Sequence, residues 1–540
     1  MGLIRIAAAL DPGRGQTSWF GSRRSNWLWL PGGLVAAAML LPLVYLVVRA
    51  FGADRSVLVW LVRPQTLEIV LRSLGLALAV SAAAILIAVP LAWLITRSDL
   101  PGKNFWAAVI PLPLVIPSYV GAYLYVSVLG PRGGLQSLLE TWFGVQRLPG
   151  IYGFWGALLV LTLMSYPFLY LTVRGALLRS DRSVEEAARS LGSSPWETFW
   201  RVVVPLLRPA IASGTLLVAL YVLRDFGAVS ILRYTTFTRA IYIQYQSSID
   251  RSAAALLSLV LVALTVAVLV MEFRLNPARK GAAALSTRPA ALARLGIWRW
   301  PALLFTGLVF VLGLVLPAGV LVYWLARGLA AGEQMTAVWR PALNSISAAG
   351  LAALAAVLAA LPVAILSVRR PGVGSRVLER LTYLGFALPG IVIALSLVFF
   401  GANLAPWAYQ TLGMLVFAYL VLFLPQAVGA IRASLLLLHK NVEEAAYSLG
   451  SGPLRVFRRV TLPLVWPGVG SAAALIFLTT MKELPATLIL APIGFSTLAT
   501  QIWSAVSEAF FARAAAPALL VILISSVPLA FFNLYGTKRG

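Results

Sequence analysis

Two acid–base dipeptides lie deep in apolar sequence, Arg224-Asp225 and Lys482-Glu483, 258 residues apart. Ionisable groups inside a membrane span are costly and mark function by default. Two chemistries fit them. Crossed ion pairs, Arg224 with Glu483 and Lys482 with Asp225, would hold a gate shut and leave no net buried charge. Alternatively, the carboxylates of Asp225 and Glu483 would offer hard oxygen ligands to a passing metal cation. The adjacent basic residues then suit transit rather than storage. Tyr119, Tyr123, Tyr125, Tyr166, Tyr170 and Tyr221 place phenolic oxygens in the same and neighbouring spans. Tyrosine is also ordinary in helix contacts and at membrane interfaces. Tyr166 stands out because Pro167 beside it frees a backbone carbonyl. The chain has no cysteine and one histidine, His439. That excludes thiolate and histidine-rich metal centres. His439 reads as a surface residue flanking a helix.

The dipeptides belong to a longer repeat. Glu185 to Gly192 reads Glu-Glu-Ala-Ala-Arg-Ser-Leu-Gly, and Glu443 to Gly450 reads Glu-Glu-Ala-Ala-Tyr-Ser-Leu-Gly. The same offset maps Pro195, Phe199, Arg201, Pro205 and Pro209 onto Pro453, Phe457, Arg459, Pro463 and Pro467. It also maps Pro167 onto Pro425 and Arg174 onto Arg432. Upstream the offset becomes 272, mapping Pro90 onto Pro362 and Pro117 onto Pro389. Ser183-x-x-Glu186 and Asn441-x-x-Glu444 predict helix starts. Gly192 and Gly450 end those short helices. A second helix is expected to run to Pro205 or Pro463. Each copy is thus a helix–turn–helix. An amphipathic loop on lipid is one reading; two identically spaced copies favour paired docking elements for a two-fold partner.

The elements that position these residues follow from composition. Of 540 residues, 60% are apolar and 11% charged. Soluble domains carry about 25% charge, so the chain is read as an all-α polytopic membrane protein. Twelve runs are long enough to span a bilayer. They fall at 29–50, 74–96, 105–129, 152–173, 209–232 and 254–273, then 300–325, 343–367, 381–402, 409–431, 467–490 and 514–533. The net charge of +25 is concentrated between spans, which argues for loop retention rather than nucleic acid. With both termini cytoplasmic, basic residues favour the cytoplasmic side about two to one. The organisation is a cytoplasmic tail (1–28), a first half (29–273) with loop 181–208, a basic linker (274–299) and a second half (300–535) with loop 439–466. The halves form a parallel repeat about an axis along the membrane normal. The in-span prolines read as kinks.

The repeated loops resemble the EAA motif of ABC importer permeases: Glu-Ala-Ala, three residues, Gly, nine residues, then an apolar residue, any residue, an apolar residue and Pro. The first copy is Glu186-Ala187-Ala188, Gly192 and Val202-x-Val204-Pro205. The second is Glu444-Ala445-Ala446, Gly450 and Val460-x-Leu462-Pro463. The resemblance implies the type I importer fold, with six spans per half and the halves fused. It implies that the short loop helices couple to two copies of a separate ABC ATPase, which carry ATP-Mg. Glu185, Glu186, Ala187, Ala188, Gly192 and their mates Glu443, Glu444, Ala445, Ala446 and Gly450 are then coupling residues. Leu223–Ala228 with Thr235–Tyr242, and Met481–Thr487 with Ser496–Thr500, look like the ferric-iron importers. Thiamine importers are the nearest alternative. The resemblance implies a periplasmic ferric-binding protein, a bacterial inner-membrane location and ferric iron passing Asp225 and Glu483, with Arg224, Lys482 and Tyr166 along the path. No Gly-x-x-x-x-Gly-Lys-Ser/Thr is present, so no nucleotide cradle of that kind is expected here, and no catalytic residue or bound cofactor. A secondary transporter would also repeat six spans in parallel, but would not need matched docking loops.

Overall fold

The computed structural model describes residues 28–51, 63–131, 133–145, 149–180, 183–247, 252–275, 293–333, 338–386 and 388–536. The expected tail, apart from its last residue, and residues 276–292 of the expected linker lie outside them. The described residues are helical, with no β-sheet; one isolated bridge joins Ser98 and Ala293. The first half runs α1 (Trp29–Phe51), α2 (Pro64–Arg97), α3 (Lys103–Val109), α4 (Ser118–Leu129), α5 (Gly134–Phe143) and α6 (Phe154–Arg179). It continues α7 (Ser183–Ser190), α8 (Val204–Arg224), α9 (Gly227–Ile231), α10 (Phe237–Ser247) and α11 (Ser252–Leu275). The second half runs α12 (Arg299–Phe310), α13 (Leu316–Ala330), α14 (Trp339–Arg369), α15 (Val373–Thr382), α16 (Gly390–Leu404) and α17 (Leu412–Leu437). It ends with α18 (Lys440–Ser448), α19 (Leu462–Met481), α20 (Pro485–Leu490), α21 (Leu498–Ser507) and α22 (Phe511–Gly536).

Among the described residues nine helices are long and apolar enough to cross a membrane. Two further spans are bent pairs, by 96° after Val115 and by 99° after Gly385. These are the expected spans 105–129 and 381–402. Pro117 and Pro389 do more than kink them. Each sits in extended backbone and starts a new helix, α4 or α16, because a residue without an N–H is tolerated at a helix start but not inside. The expected spans 209–232 and 467–490 also break, at Asp225-Phe226 and at Lys482–Leu484. By contrast Pro90, Pro167, Pro362 and Pro425 lie inside continuous helices.

Tyr119 to Ser127 of α4 and Gly390 to Phe399 of α16 are buried without a break. A helix apolar all round belongs in a core, and these two occupy the centre. Around them α2 packs on α6 and α8, and α14 packs equivalently on α17 and α19. Buried alanines such as Ala84, Ala88, Ala352 and Ala356 permit the close approach that stabilises helix pairs in lipid. The halves interlock. Helix α1 of the first half packs on α14, α15 and α16 of the second, and α13 packs on α4 of the first.

The expected second helix of each docking loop is not separate. One turn, Pro195–Thr198 or Pro453–Val456, runs through a π-helical segment, Phe199–Val203 or Phe457–Thr461, straight into α8 or α19. Pro205 and Pro463 explain the wider turn, since a proline ring clashes with the carbonyl four residues back.

Candidate functional site

The site has two parts, one at each end of α8 and α19. At the loop end, α7 begins at Ser183 as the capping pattern places it, while α18 begins at Lys440 with His439 as its N-cap and no capping side-chain bond, so the expected cap Asn441 lies inside the helix. Gly192 (φ +92°) and Gly450 (φ +79°) stop them in the left-handed region. The amides of Ser193 and Ser451 then bond back to the carbonyls of Ala188 (3.1 Å) and Ala446 (3.2 Å), satisfying the helix ends. The paired glutamates divide. Glu186, Ala187, Glu444 and Ala445 are exposed, while Glu185 and Glu443 are buried; Ala188 and Ala446 are half-buried. Leu191 and Leu449 crown the loops, each 87% exposed. Burial and the Glu443 carboxylate push the Tyr447 hydroxyl above its ordinary range; the first loop has Arg189 at this position.

The buried glutamates meet arginines from the ends of α2 and α14. Glu185 Oε1 lies 3.3 Å from Arg97 Nη2, and Glu443 Oε2 lies 2.9 Å from Arg369 Nε. Arg97 also donates to the Leu177 carbonyl (3.0 Å) and to Ser180 Oγ at the end of α6. Arg369 donates to the Leu438 carbonyl after α17 (3.5 Å). Thr461 Oγ1 donates to Glu443 Oε1 (2.8 Å); Val203 stands in its place in the first half. Sequence reasoning missed both arginines, although 272 separates them, the offset that maps Pro90 onto Pro362.

At the other end lie the breaks that carry Asp225 and Glu483. Asp225 Oδ1 accepts from the amides of Ala228 (3.0 Å) and Val229 (3.2 Å), and Ser118 adds a side-chain hydrogen bond. Glu483 Oε1 accepts from the Ala486 amide (3.1 Å). A Cβ on Gly390 would stand 2.5 Å from that oxygen, so a larger residue there would push the Glu483 carboxylate aside. Ser118 and Gly390, 272 apart, are the first residues of α4 and α16. Each carboxylate therefore sits at two helix starts, its own short helix and the central one, where amides and dipoles favour an anion. The backbone repeats too. Ser73 Oγ accepts the Phe237 amide (3.1 Å) and Ser345 Oγ the Leu498 amide (2.8 Å).

Neither expected crossed ion pair closes to a salt bridge among the described residues. Arg224 lies within electrostatic reach of Glu483, from one half to the other. Lys482 does not pair with Asp225; its Nζ donates to the Leu114 carbonyl of the first half (2.9 Å), freed by the break in span three. Tyr166 is fully buried and donates to the Ile110 carbonyl (2.9 Å), so it holds that break in place. Tyr125 bonds the Leu312 carbonyl, and Tyr419, not singled out from the sequence, shares a hydrogen bond with Thr487 (2.6 Å). Ser345, Tyr419, Thr480, Glu483 and Thr497 line a cavity of about 10 Å³, room for one water. Phe226 and Tyr242 of the first half meet Trp503 of the second, with centroids 4.8 Å (Phe226–Tyr242), 5.2 Å (Phe226–Trp503) and 6.5 Å (Tyr242–Trp503) apart. No group of three or more His, Cys, Asp or Glu side chains suited to a resident metal occurs among the described residues.

A doubled set of spans, a matched helical loop in each half and broken core helices define a membrane-embedded transport subunit. The chain belongs to the family of binding-protein-dependent transport system inner membrane components, whose model matches residues 84–281 and 356–538. It is 38% identical over 519 residues to the Fe(3+)-transport system permease protein FbpB 2 of Haemophilus influenzae (strain ATCC 51907 / DSM 11121 / KW20 / Rd), covering 95% of this chain and 99% of that one. It is 27% identical over 447 residues to the ferric transport system permease protein FbpB of Actinobacillus pleuropneumoniae, covering 78% and 64%. The molybdenum transport system permease protein ModB of Escherichia coli (strain K12) is 34% identical over 218 residues, 38% of this chain and 94% of that one.

Proposed function

We propose that this chain forms the membrane pathway of an ATP-driven ferric-iron importer. The end-to-end match to a ferric permease carries that reading, because it spans both halves and both breaks. A periplasmic binding protein delivers iron to the face bearing Phe226, Tyr242 and Trp503. Two ABC ATPase subunits dock from the cytoplasm on α7 and α18, with Leu191 and Leu449 as apolar anchors and Glu186 and Glu444 meeting basic or hydroxyl groups. Both termini are cytoplasmic. Closure of the ATPase pair moves the loops and reorients the halves, an alternating-access cycle. In the conformation described, Phe226 and Trp503 bridge the halves on the periplasmic side. Asp225 and Glu483 hold helix starts in this state. Their oxygens become available to the cation when the halves part.

ATP-dependent uptake into proteoliposomes tests this, with the ATPase and candidate binding proteins supplied. Radiolabelled ferric iron should accumulate, and accumulation should fall in Asp225→Asn and Glu483→Gln. Accumulation of thiamine instead would overturn the substrate and leave the architecture. Transport abolished by collapsing the proton-motive force at constant ATP would overturn the ABC assignment.

A further inference from the structure

We propose that the buried pairs Arg97–Glu185 and Arg369–Glu443 are the transmission joints of this importer, and that their four residues are positioning residues for coupling. The inference rests on the docking role given to α7 and α18, and on no particular substrate. Helices α7 and α18 touch little outside their own loops. Each packs mainly on the turn and π-helical segment that follow it in its own loop. Beyond the short chain link to α6 or α17, the polar joint ties its first turn to α2 or α14 as well. Arg97 ends α2, and its guanidinium holds the end of α6 and the Glu185 carboxylate together. Arg369 does the same with α14, the end of α17 and Glu443. A guanidinium with donors in a fixed fork is suited to locking three elements at once. A displacement of either docking helix must therefore drag the ends of two spans.

Stability alone is a poor account of these pairs. Burying two charges costs desolvation that their attraction only roughly offsets, and well-packed apolar residues often do as well. Yet the pair occurs twice, 4% and 8% exposed in the first half and 13% and 7% in the second, at the same point of each loop. The two joints differ in detail. The second has the shorter ion pair, and Thr461 ties it to the start of α19 as well; the first holds the end of its preceding span more closely, at 3.0 Å against 3.5 Å.

The chain lacks cysteine, so spin labels can be placed without background. One pair, Leu191→Cys with Leu449→Cys, reports the separation of the docking loops. A second, Asn104→Cys with Arg376→Cys, reports the segments just beyond α2 and α14; all four positions are exposed. In the complex with its ATPase, ATP should change both separations. In Glu443→Gln or Arg369→Gln the loop separation should still respond, while the second should not. Uptake per ATP hydrolysed should fall about tenfold, and less in Glu185→Gln or Arg97→Gln. Exchanging the charges, Arg369→Glu with Glu443→Arg, should restore the response. An apolar pair, Arg369→Met with Glu443→Leu, should assemble and stay uncoupled. The proposal is overturned if that apolar pair couples normally, or if the second separation follows ATP in every variant. It is equally overturned if uptake and hydrolysis fall together with the amount of folded complex. Should single variants fail to assemble, the exchanged and apolar pairs, read against each other, decide. The label distances need no substrate, so failure to move iron would leave this test standing.

Discussion

The docking loops and the broken spans are both duplicated, but they have diverged differently. Across the loops seven of eight residues of the Glu-Glu-Ala-Ala stretch are identical, and the exposed leucines match. Across the breaks Arg-Asp has become Lys-Glu, Ser118 faces Gly390, and Tyr242 faces Trp503. On the proposed function a pair of identical partners would press on both loops at once, and such symmetric demands would keep the two surfaces alike. A solute taking the proposed path between the halves would meet both breaks together, leaving each free to take a different share of the work. The arginine and lysine show this. One leans toward a carboxylate across the halves, the other donates to a carbonyl.

The largest expected effect lies at the loops. Leu191→Asp with Leu449→Asp should weaken ATPase assembly about a thousandfold, taking ~2 kcal/mol for each buried interface anchor. Either substitution alone should cost about thirtyfold, and similarly for each loop. Co-purification of the ATPase checks this; strongly unequal single variants would break the symmetry argument. Next come the carboxylates. Asp225 accepts from two amides and a serine, Glu483 from one amide. Asp225→Asn should therefore lower stability by about 2–3 kcal/mol and Glu483→Gln by about 1–2 kcal/mol. Unfolding in detergent gives the order, and the reverse order would mean that the breaks are used otherwise. Third, Trp503→Ala removes ring contacts worth ~1 kcal/mol between the halves. ATP hydrolysis in the absence of binding protein should rise about fivefold, and an unchanged rate would remove those rings from the gate. The smallest effect sharpens the comparison within the loops. Thr461→Val makes the second joint like the first and should cost ~1 kcal/mol, while Val203→Thr should cost nothing.

Much of this was legible in the chain. Uniform apolar runs reveal spans, and the repeat aligns the halves. The double loop exposed its own polarity in Glu-Glu-Ala-Ala, though not which glutamate faces outward, since that depends on the entry angle of α7 and α18. The sharp bends were hidden because an apolar run containing proline looks alike whether it kinks or restarts. Pro90 and Pro117 differ only in what surrounds them. Arg97 and Arg369 were passed over as ordinary loop-retaining charges, because their partners lie 88 and 74 residues away. Tyr166 looked like a pathway ligand from its proline neighbour; packing commits its hydroxyl to Ile110. The aromatic contact at Trp503 joins residues from different halves, beyond the reach of any local pattern.

The exchange of first helices sets the kind of motion available. Because α1 reaches onto the second half and α13 onto the first, each while also packing on its own half, the halves are strapped across each other like two hands with crossed thumbs. Pulling them straight apart would peel both straps from their seats. Rocking about the line between the straps disturbs neither. Such a pivot makes the two faces of the membrane mutually exclusive: widening one mouth narrows the other, and a continuous leak would require both straps to fail at once.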